Sequence, residues 1–242
     1  DDQPFELAEV AYAQPQVLTV GVDEIAEAVA ERPEFHPRFV TDESRLRRHL
    51  YRADIRRAVV AEEFAGTSED FLATLGMTFR IWPAQAEDLR RAEELTVRTH
   101  QLNSTGRTYS YDELLDLCER DDHLVLMAGL DDRFGSYGTI GLAVVDRGQR
   151  VWTLRLLLMS CRVVSRGVGS VLLGHIIDLA RRTGATLRGD FVENGRNRMM
   201  YIAYRFLGFE EVHRDGDEVV LELPPAATHA RPVPDYLSLE VR

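Results

Sequence analysis

One stretch constrains this chain more than any other: Arg166-Gly167-Val168-Gly169-Ser170, running straight into a long apolar stripe. Val168, Val171, Leu172, His175, Ile176, Leu179 and Ala180 recur at i, i+3, i+4, i+7, i+8, i+11 and i+12, the pattern of a helix with one buried face. Thr183-Gly184 closes it, with glycine where the chain must leave the helix. An apolar strand, 151–160, precedes the glycines. Strand, glycine turn and helix start together present unpaired amides at the positive end of a helix dipole, where glycines let a ligand come close. Such a turn can cradle a phosphate or pyrophosphate. Taken alone, it can equally be a tight turn.

The rest of the pattern is mixed. Thr41 is placed to cap a helix over 42–63 with Leu46, Leu50 and Ala53 on its apolar face. Arg45, Arg47, Arg48, Arg52, Arg56 and Arg57 decorate the remainder, either as a solvated face or as a dock for an acidic partner. A strand over 77–81 ends at Trp82-Pro83, and helices follow over 86–100 and 111–118. Strands over 123–130, 139–146 and 151–160 are joined by short turns, which implies an antiparallel meander. After the long helix come a strand over 186–192, a helix over 196–207 and a strand over 219–223. The expected class is α/β (α+β), a mixed, mostly antiparallel sheet flanked by helices.

Composition narrows the function. A net charge of −11 argues against nucleic acid as a partner, since phosphate neutralisation needs a cationic surplus. All 29 basic residues are arginine. Cys118 and Cys161 form no CxxC pair, so no metal site is expected, and the pattern fits a reducing, cytoplasmic compartment. No apolar run reaches the roughly 20 residues of a membrane span.

Downstream of the glycine turn, Asn197 and Tyr204 share one face of the 196–207 helix, which ends at Gly208-Phe209. An RGxG turn opening a helix, then a strand, then Asn-x6-Tyr-x3-Gly-Phe resembles the acyl-CoA-binding half of GNAT acyltransferases. The resemblance implies a GNAT-like fold. It also implies that Arg162, Arg166, Gly167, Val168, Gly169, Ser170 and Asn197 hold the phosphate-linked pantetheine, with Tyr204 as acid to a departing thiolate. The motif's usual Gln or Arg three residues before its first glycine is replaced here by Val164.

Three further stretches are similar to the FkbH-like glyceryl-loading proteins of polyketide biosynthesis: Thr99-His100-Gln101-Leu102-Asn103-Ser104-Thr105-Gly106-Arg107, Asp132-Arg133-Phe134-Gly135 and Met159-Ser160-Cys161-Arg162-Val163. Those proteins join a HAD-type domain to a GNAT-like one. Asp1-Asp2-Gln3-Pro4-Phe5-Glu6 resembles the last acidic, Mg-binding motif of the HAD part, whose Asp-x-Asp segment this sequence lacks. The resemblance therefore implies a C-terminal portion without phosphatase activity of its own, using Mg only if that segment is supplied. The implied layout is a HAD tail over 1–22, a helical linker over 23–75, a GNAT-like domain over 76–224 and a loosely packed tail over 225–242.

The same resemblance implies the chemistry. A small phosphorylated three-carbon donor gives its glyceryl group to Cys161 as a thioester, which passes to the phosphopantetheine of an acyl carrier protein. Without the resemblance, Cys161 reads as a small buried apolar residue. His100 is the candidate base. His175 lies on the apolar stripe, Glu193 follows a strand, and Asp131 and Asp132 form either a carboxylate pair or a solvated turn. Two other functions remain open: an acetyl-CoA-dependent N-acetyltransferase that does not need Cys161, and a non-catalytic module that docks a carrier protein.

Overall fold

The computed structural model describes residues 1–225 and 233–242. They divide into two compact units, Asp1–Val40 and Thr41–Arg242. The first holds helices α1 (Pro4–Ala13) and α2 (Ile25–Glu31) and two short 3-10 turns. Its opening is tied locally: the Asp1 ammonium donates to the Val20 carbonyl at 3.2 Å.

The second unit carries the sheet. In chain order it runs α3 (Asp42–Glu63), α4 (Ser68–Ala73), β1 (Met77–Pro83), α5 (Leu89–Arg98), α6 (Tyr111–Glu119), β2 (His123–Asp132), β3 (Gly135–Arg147) and β4 (Val151–Met159). Then follow α7 (Val168–Arg182), β5 (Thr186–Val192), α8 (Arg198–Phe206), β6 (Glu210–Asp215), β7 (Glu218–Glu222) and β8 (Leu237–Val241). The strands form one sheet in the order β6-β7-β5-β4-β3-β2-β1-β8. β2 to β4 are the antiparallel meander the short turns dictate, β1 joins β2 antiparallel across α5 and α6, β4 and β5 are parallel, and β5 to β7 return antiparallel. The architecture is the mixed α/β one, a mostly antiparallel sheet flanked by helices, that the sequence pattern implies.

Alternation along the strands sorts the core onto two faces. Leu126, Ala128 and Leu130 of β2 join Leu172, Ile176 and Ala180 of α7, Tyr204 of α8 and Phe71 and Leu72 of α4. Val125 and Met127 point the other way and meet Leu89, Ala92 and Leu95 of α5 and Leu114 of α6.

Helix α3 is capped as expected: the Thr41 side chain accepts from Ser44 N at 3.2 Å. Its face differs from the expectation. Leu46 is exposed, and the buried residues are Ala53 and Arg57. Arg57 is no solvated decoration. It makes a two-pronged pair with Asp132, both contacts at 2.8 Å, and also donates to Asp54 and to the Gly135 carbonyl. The Tyr137 ring lies 3.7 Å beneath the guanidinium. Its hydroxyl donates to Asp132, and burial pushes its pKa up to about 12. Asp132 is thus neither half of a carboxylate pair nor solvated: the buried Arg57 takes both its oxygens. This clamp, with Phe71 and Leu72 in the core, places the 41–75 stretch of the expected linker in the unit that holds the sheet.

The expected loose tail falls partly on 226–232, which lie outside the described residues. Its end, β8, is a strand parallel to β1.

Candidate functional site

The site is set by where β4 and β5 part. They pair only from Val151 to Leu154 against Thr186 to Gly189. Beyond that point the gap between them is filled by the chain itself. Ser104 N donates to the Leu157 carbonyl at 2.9 Å, and Leu157 N to Ser104 Oγ at 3.0 Å. Met159 N donates to the Leu102 carbonyl and Val192 N to the Ser104 carbonyl, each at 2.9 Å. Residues 102–104 therefore satisfy the edge amides of both strands. Asn103 holds this wedge in shape, its Oδ1 accepting from Gly106 N at 2.8 Å, with Gly106 in the left-handed region at φ 70°.

Past Met159, a 3-10 turn (Cys161–Arg166) leads to Gly167, whose φ of 75° reverses the chain into α7. Cys161 stands at the start of that turn and is exposed. Gly167 has no side chain to cap the first amides of α7, and among the described residues no side-chain cap bond reaches them.

Two cavities meet at the wedge, and Leu102 lines both. The first, about 620 Å3, is lined by Cys161, His100, Arg162, Arg196 and residues from α3 and α5, among them Glu43, Arg47, Asp54, Arg91 and Arg98. The second, about 200 Å3, is apolar. Gly167, Gly169 and Ser170 form one side, Met159 and Val163 the floor, and Met199, Ile202, Ala203 and Phe206 of α8 the other side.

Beneath the first cavity lies Glu94, whose side chain is wholly buried. Its oxygens take Arg91 Nη1 at 2.8 Å, Arg47 Nη2 at 3.1 Å and Arg98 Nε at 3.2 Å, together with the Thr41 hydroxyl at 2.8 Å. Burial alone pushes this carboxyl up. The Thr41 hydroxyl and the arginines outweigh it and hold the group below its ordinary value. Arg162 shows the reverse: loss of water, then the like charge of Arg91, draw its guanidinium below its ordinary value.

The residues singled out in the sequence are distributed unevenly. Cys161, His100 and Arg162 share the first cavity. Gly167, Gly169 and Ser170 line the second, while Val168 is buried in the core behind them. Arg162, expected at the pantetheine, thus faces the other cavity. Arg166 lines neither, and its Nε is buried without a hydrogen-bond partner among the described residues. Asn197 is fully buried, and its Nδ2 is spent on the Asn103 and Val192 carbonyls at 3.0 and 2.8 Å. It ties the wedge to the end of β5 and reaches no cavity. Tyr204 is likewise fully buried, its ring edge-on to Phe209 and packed where Gly189 leaves room. Burial pushes its phenol far up, and it lines neither cavity. His175 is half-buried and its pKa is lowered by burial, as suits a residue beside the apolar stripe. Glu193 is exposed and pairs with Arg214.

Glu94 and its arginines escaped the sequence reading. The signal available was a carboxylate on the buried side of α5, flanked by arginines three before and four after it.

No family model matches the chain, and no curated protein matches it. Solved structures to which it is similar include the ribosomal-protein-S18-alanine N-acetyltransferase of Escherichia coli, with 20% identity, 64% of this chain and 99% of that one covered, and a TM-score of 0.47. Another is the PaiA N-acetyltransferase of Thermoplasma acidophilum in complex with coenzyme A (19%, 60% and 98%, 0.49). A third is an acetyltransferase of the GNAT family from Streptococcus pneumoniae (20%, 60% and 96%, 0.45). Among the described residues no helix is long and apolar enough to cross a membrane.

Proposed function

We propose that this chain is an acyltransferase that moves a small acyl group to or from a pantetheine thiol, through Cys161. The observation that carries the reading is the adjacency of two unlike cavities across Leu102. On one side, uncapped amides at the start of a 15-residue helix open beside an apolar pocket. That pairing suits a phosphate followed by a pantetheine arm. On the other side an exposed thiol stands with an imidazole in a cavity lined by charged side chains. When bound, pantetheine supplies the thiol that carries the acyl group.

The chain's own residues divide the work. The Cys161 sulfur, as thiolate, attacks the acyl carbonyl of the donor, the donor's leaving group departs, and a thioester forms on Cys161. His100, lining the same cavity, takes the thiol proton. The wedge of 102–104 keeps solvent and the strand edges apart, and Asn197 holds the wedge in place. Because thioester exchange is nearly neutral in energy, the contribution required is mainly positioning.

The finer reading, glyceryl loaded onto an acyl carrier protein in polyketide biosynthesis, rests on the motifs around Asn103, Asp132 and Cys161. So does the assignment of 1–22 to the end of a HAD-like domain. The acyl donor is then a phosphorylated three-carbon compound, and any Mg belongs to the HAD part. A second reading, an acetyl-CoA-dependent N-acetyltransferase that does not need Cys161, is favoured by the glycine turn and the apolar pocket, which suit the pantetheine of CoA as well as that of a carrier protein.

The test is intact-protein and peptide mass spectrometry after incubation with acyl donors and either a carrier protein or CoA. An acyl adduct on Cys161 that disappears on adding the acceptor thiol supports the proposal. Acylation of an amine acceptor with Cys161 never modified replaces it with the second reading.

A further inference from the structure

The geometry points to an oxyanion-binding subsite beside Cys161: we propose that Arg162 takes the carboxylate or phosphate of the molecule entering the 620 Å3 cavity, and that Glu94 is the positioning residue that fans Arg47, Arg91 and Arg98 around it.

The argument is one of charge accounting. Among the described residues Glu94 is the carboxylate that Arg47, Arg91 and Arg98 share, and its two oxygens already receive four donors. A carboxylate offers about four lone-pair positions, so it can neutralise nothing further. The other carboxylates on the wall are engaged as well. Asp54 accepts from Arg57 Nη1 at 2.8 Å. Glu43 accepts from Thr139 N at 3.2 Å and faces Arg91 at 3.8 Å. Arg162 makes no ion pair among the described residues; its Nε donates only to the neutral Ser160 hydroxyl at 3.3 Å. A guanidinium withdrawn from water and set near the like charge of Arg91 is costly to hold without an anion. Arg196 adds a further cation at the rim. A chain with net charge −11 has thus gathered five arginines on one concave wall. Guanidinium forks match carboxylate and phosphate oxygens in pairs. The ligand class is a small molecule bearing such an oxyanion, bound so that its other end meets the thiol.

The consequence for acyl transfer rests on the function proposed above; the binding itself does not. In the full chain, alkylation rates at Cys161 are measured with iodoacetate and with iodoacetamide, using peptide mass spectrometry, with Cys118 as internal reference. Both reagents form the same carbon–sulfur bond and expel iodide, so their rate ratio isolates the charge of the reagent. The anionic reagent is expected to be favoured at Cys161 over Cys118 by about tenfold, the scale on which a cleft of one sign concentrates counter-ions. Inorganic phosphate or malonate should erase the preference at Cys161 only, and whichever acts at lower concentration identifies the oxyanion. Arg162→Gln should lose it. Glu94→Gln should lose it too, although that change removes a negative charge and leaves the wall more cationic, a result only a positioning role produces. Should the Glu94 variant fail to fold, Arg162→Gln decides alone. Equal ratios at the two thiols, or an undiminished preference in Arg162→Gln, would overturn the proposal. Acyl transfer assayed in parallel keeps the two ideas apart. Transfer without anion preference sinks only the subsite, and preference without a Cys161 adduct sinks only the acyl reading.

Discussion

On one side of Leu102 the wall is charged and assembled from α3, α5, the 160–162 turn and Arg196; on the other it is apolar and made from α7, α8 and the end of β4. The apolar cavity uses elements whose opposite faces are already in the core, so its shape follows from the packing of α7 and α8 on the sheet. The charged cavity depends on pairs that must be met one by one: Arg57 with Asp132 to seat α3, and Glu94 with its arginines to shape the floor. Buried ion pairs of this kind add little net stability, but breaking one is expensive. The two walls should therefore fail separately.

The sharpest way to break the comparison is Cys161→Ala. Transfer should fall by at least about 1,000-fold, the scale on which loss of a nucleophile is felt. Calorimetric binding of CoA at the glycine turn should stay unchanged. Transfer that survives would move the chemistry away from the charged side. Next in size is Asp132→Ala, which strips the buried Arg57 of its two-pronged partner and leaves it only the partly exposed Asp54. A loss of about 3–5 kcal/mol in urea unfolding is expected, with the anion preference at Cys161 gone and CoA binding retained. A loss below about 1 kcal/mol, the worth of an exposed pair, would show that the clamp does not seat α3.

Gly167→Ala probes the other wall. At φ 75° a side chain costs roughly 1–2 kcal/mol, and the added Cβ would also sit 2.8 Å from the Tyr236 hydroxyl. CoA affinity should drop while the iodoacetate-to-iodoacetamide ratio at Cys161 holds; the opposite pattern would exchange the two roles. The smallest effect is in acid. Glu94 is held below its ordinary 4.5, so the stability it contributes is full above that value and is lost as pH falls through its lower folded pKa. Thermal melts between neutral pH and pH 3 should therefore flatten in Glu94→Gln, and an unchanged acid limb would remove Glu94 from the floor.

Legibility in the sequence followed the same division. The apolar wall was readable because its parts are consecutive: strand, glycine turn, helix, strand and helix all lie where periodicity puts them. Asn197 and Tyr204 share a helical face, and the GNAT resemblance implies ligand roles for them. Spacing identifies a face but cannot say whether that face meets a cavity or the core, and here it meets the core. The charged wall was unreadable because its residues come from positions near 43–54, 91–102, 160–162 and 196, which only the folded sheet brings together. Strand β6 was missed because all six residues are exposed on an edge and carry no alternation. β8 was missed because prolines precede it, although Leu237 and Leu239 alternate correctly.

One leucine, Leu102, borders both chambers and hangs on a fixed post. Its carbonyl is tied to Met159 N, and the next two residues are tied to both strands, so the backbone cannot swing. The freedom left at that position belongs to the isobutyl group, so a change of side-chain size there should be felt in both chambers at once.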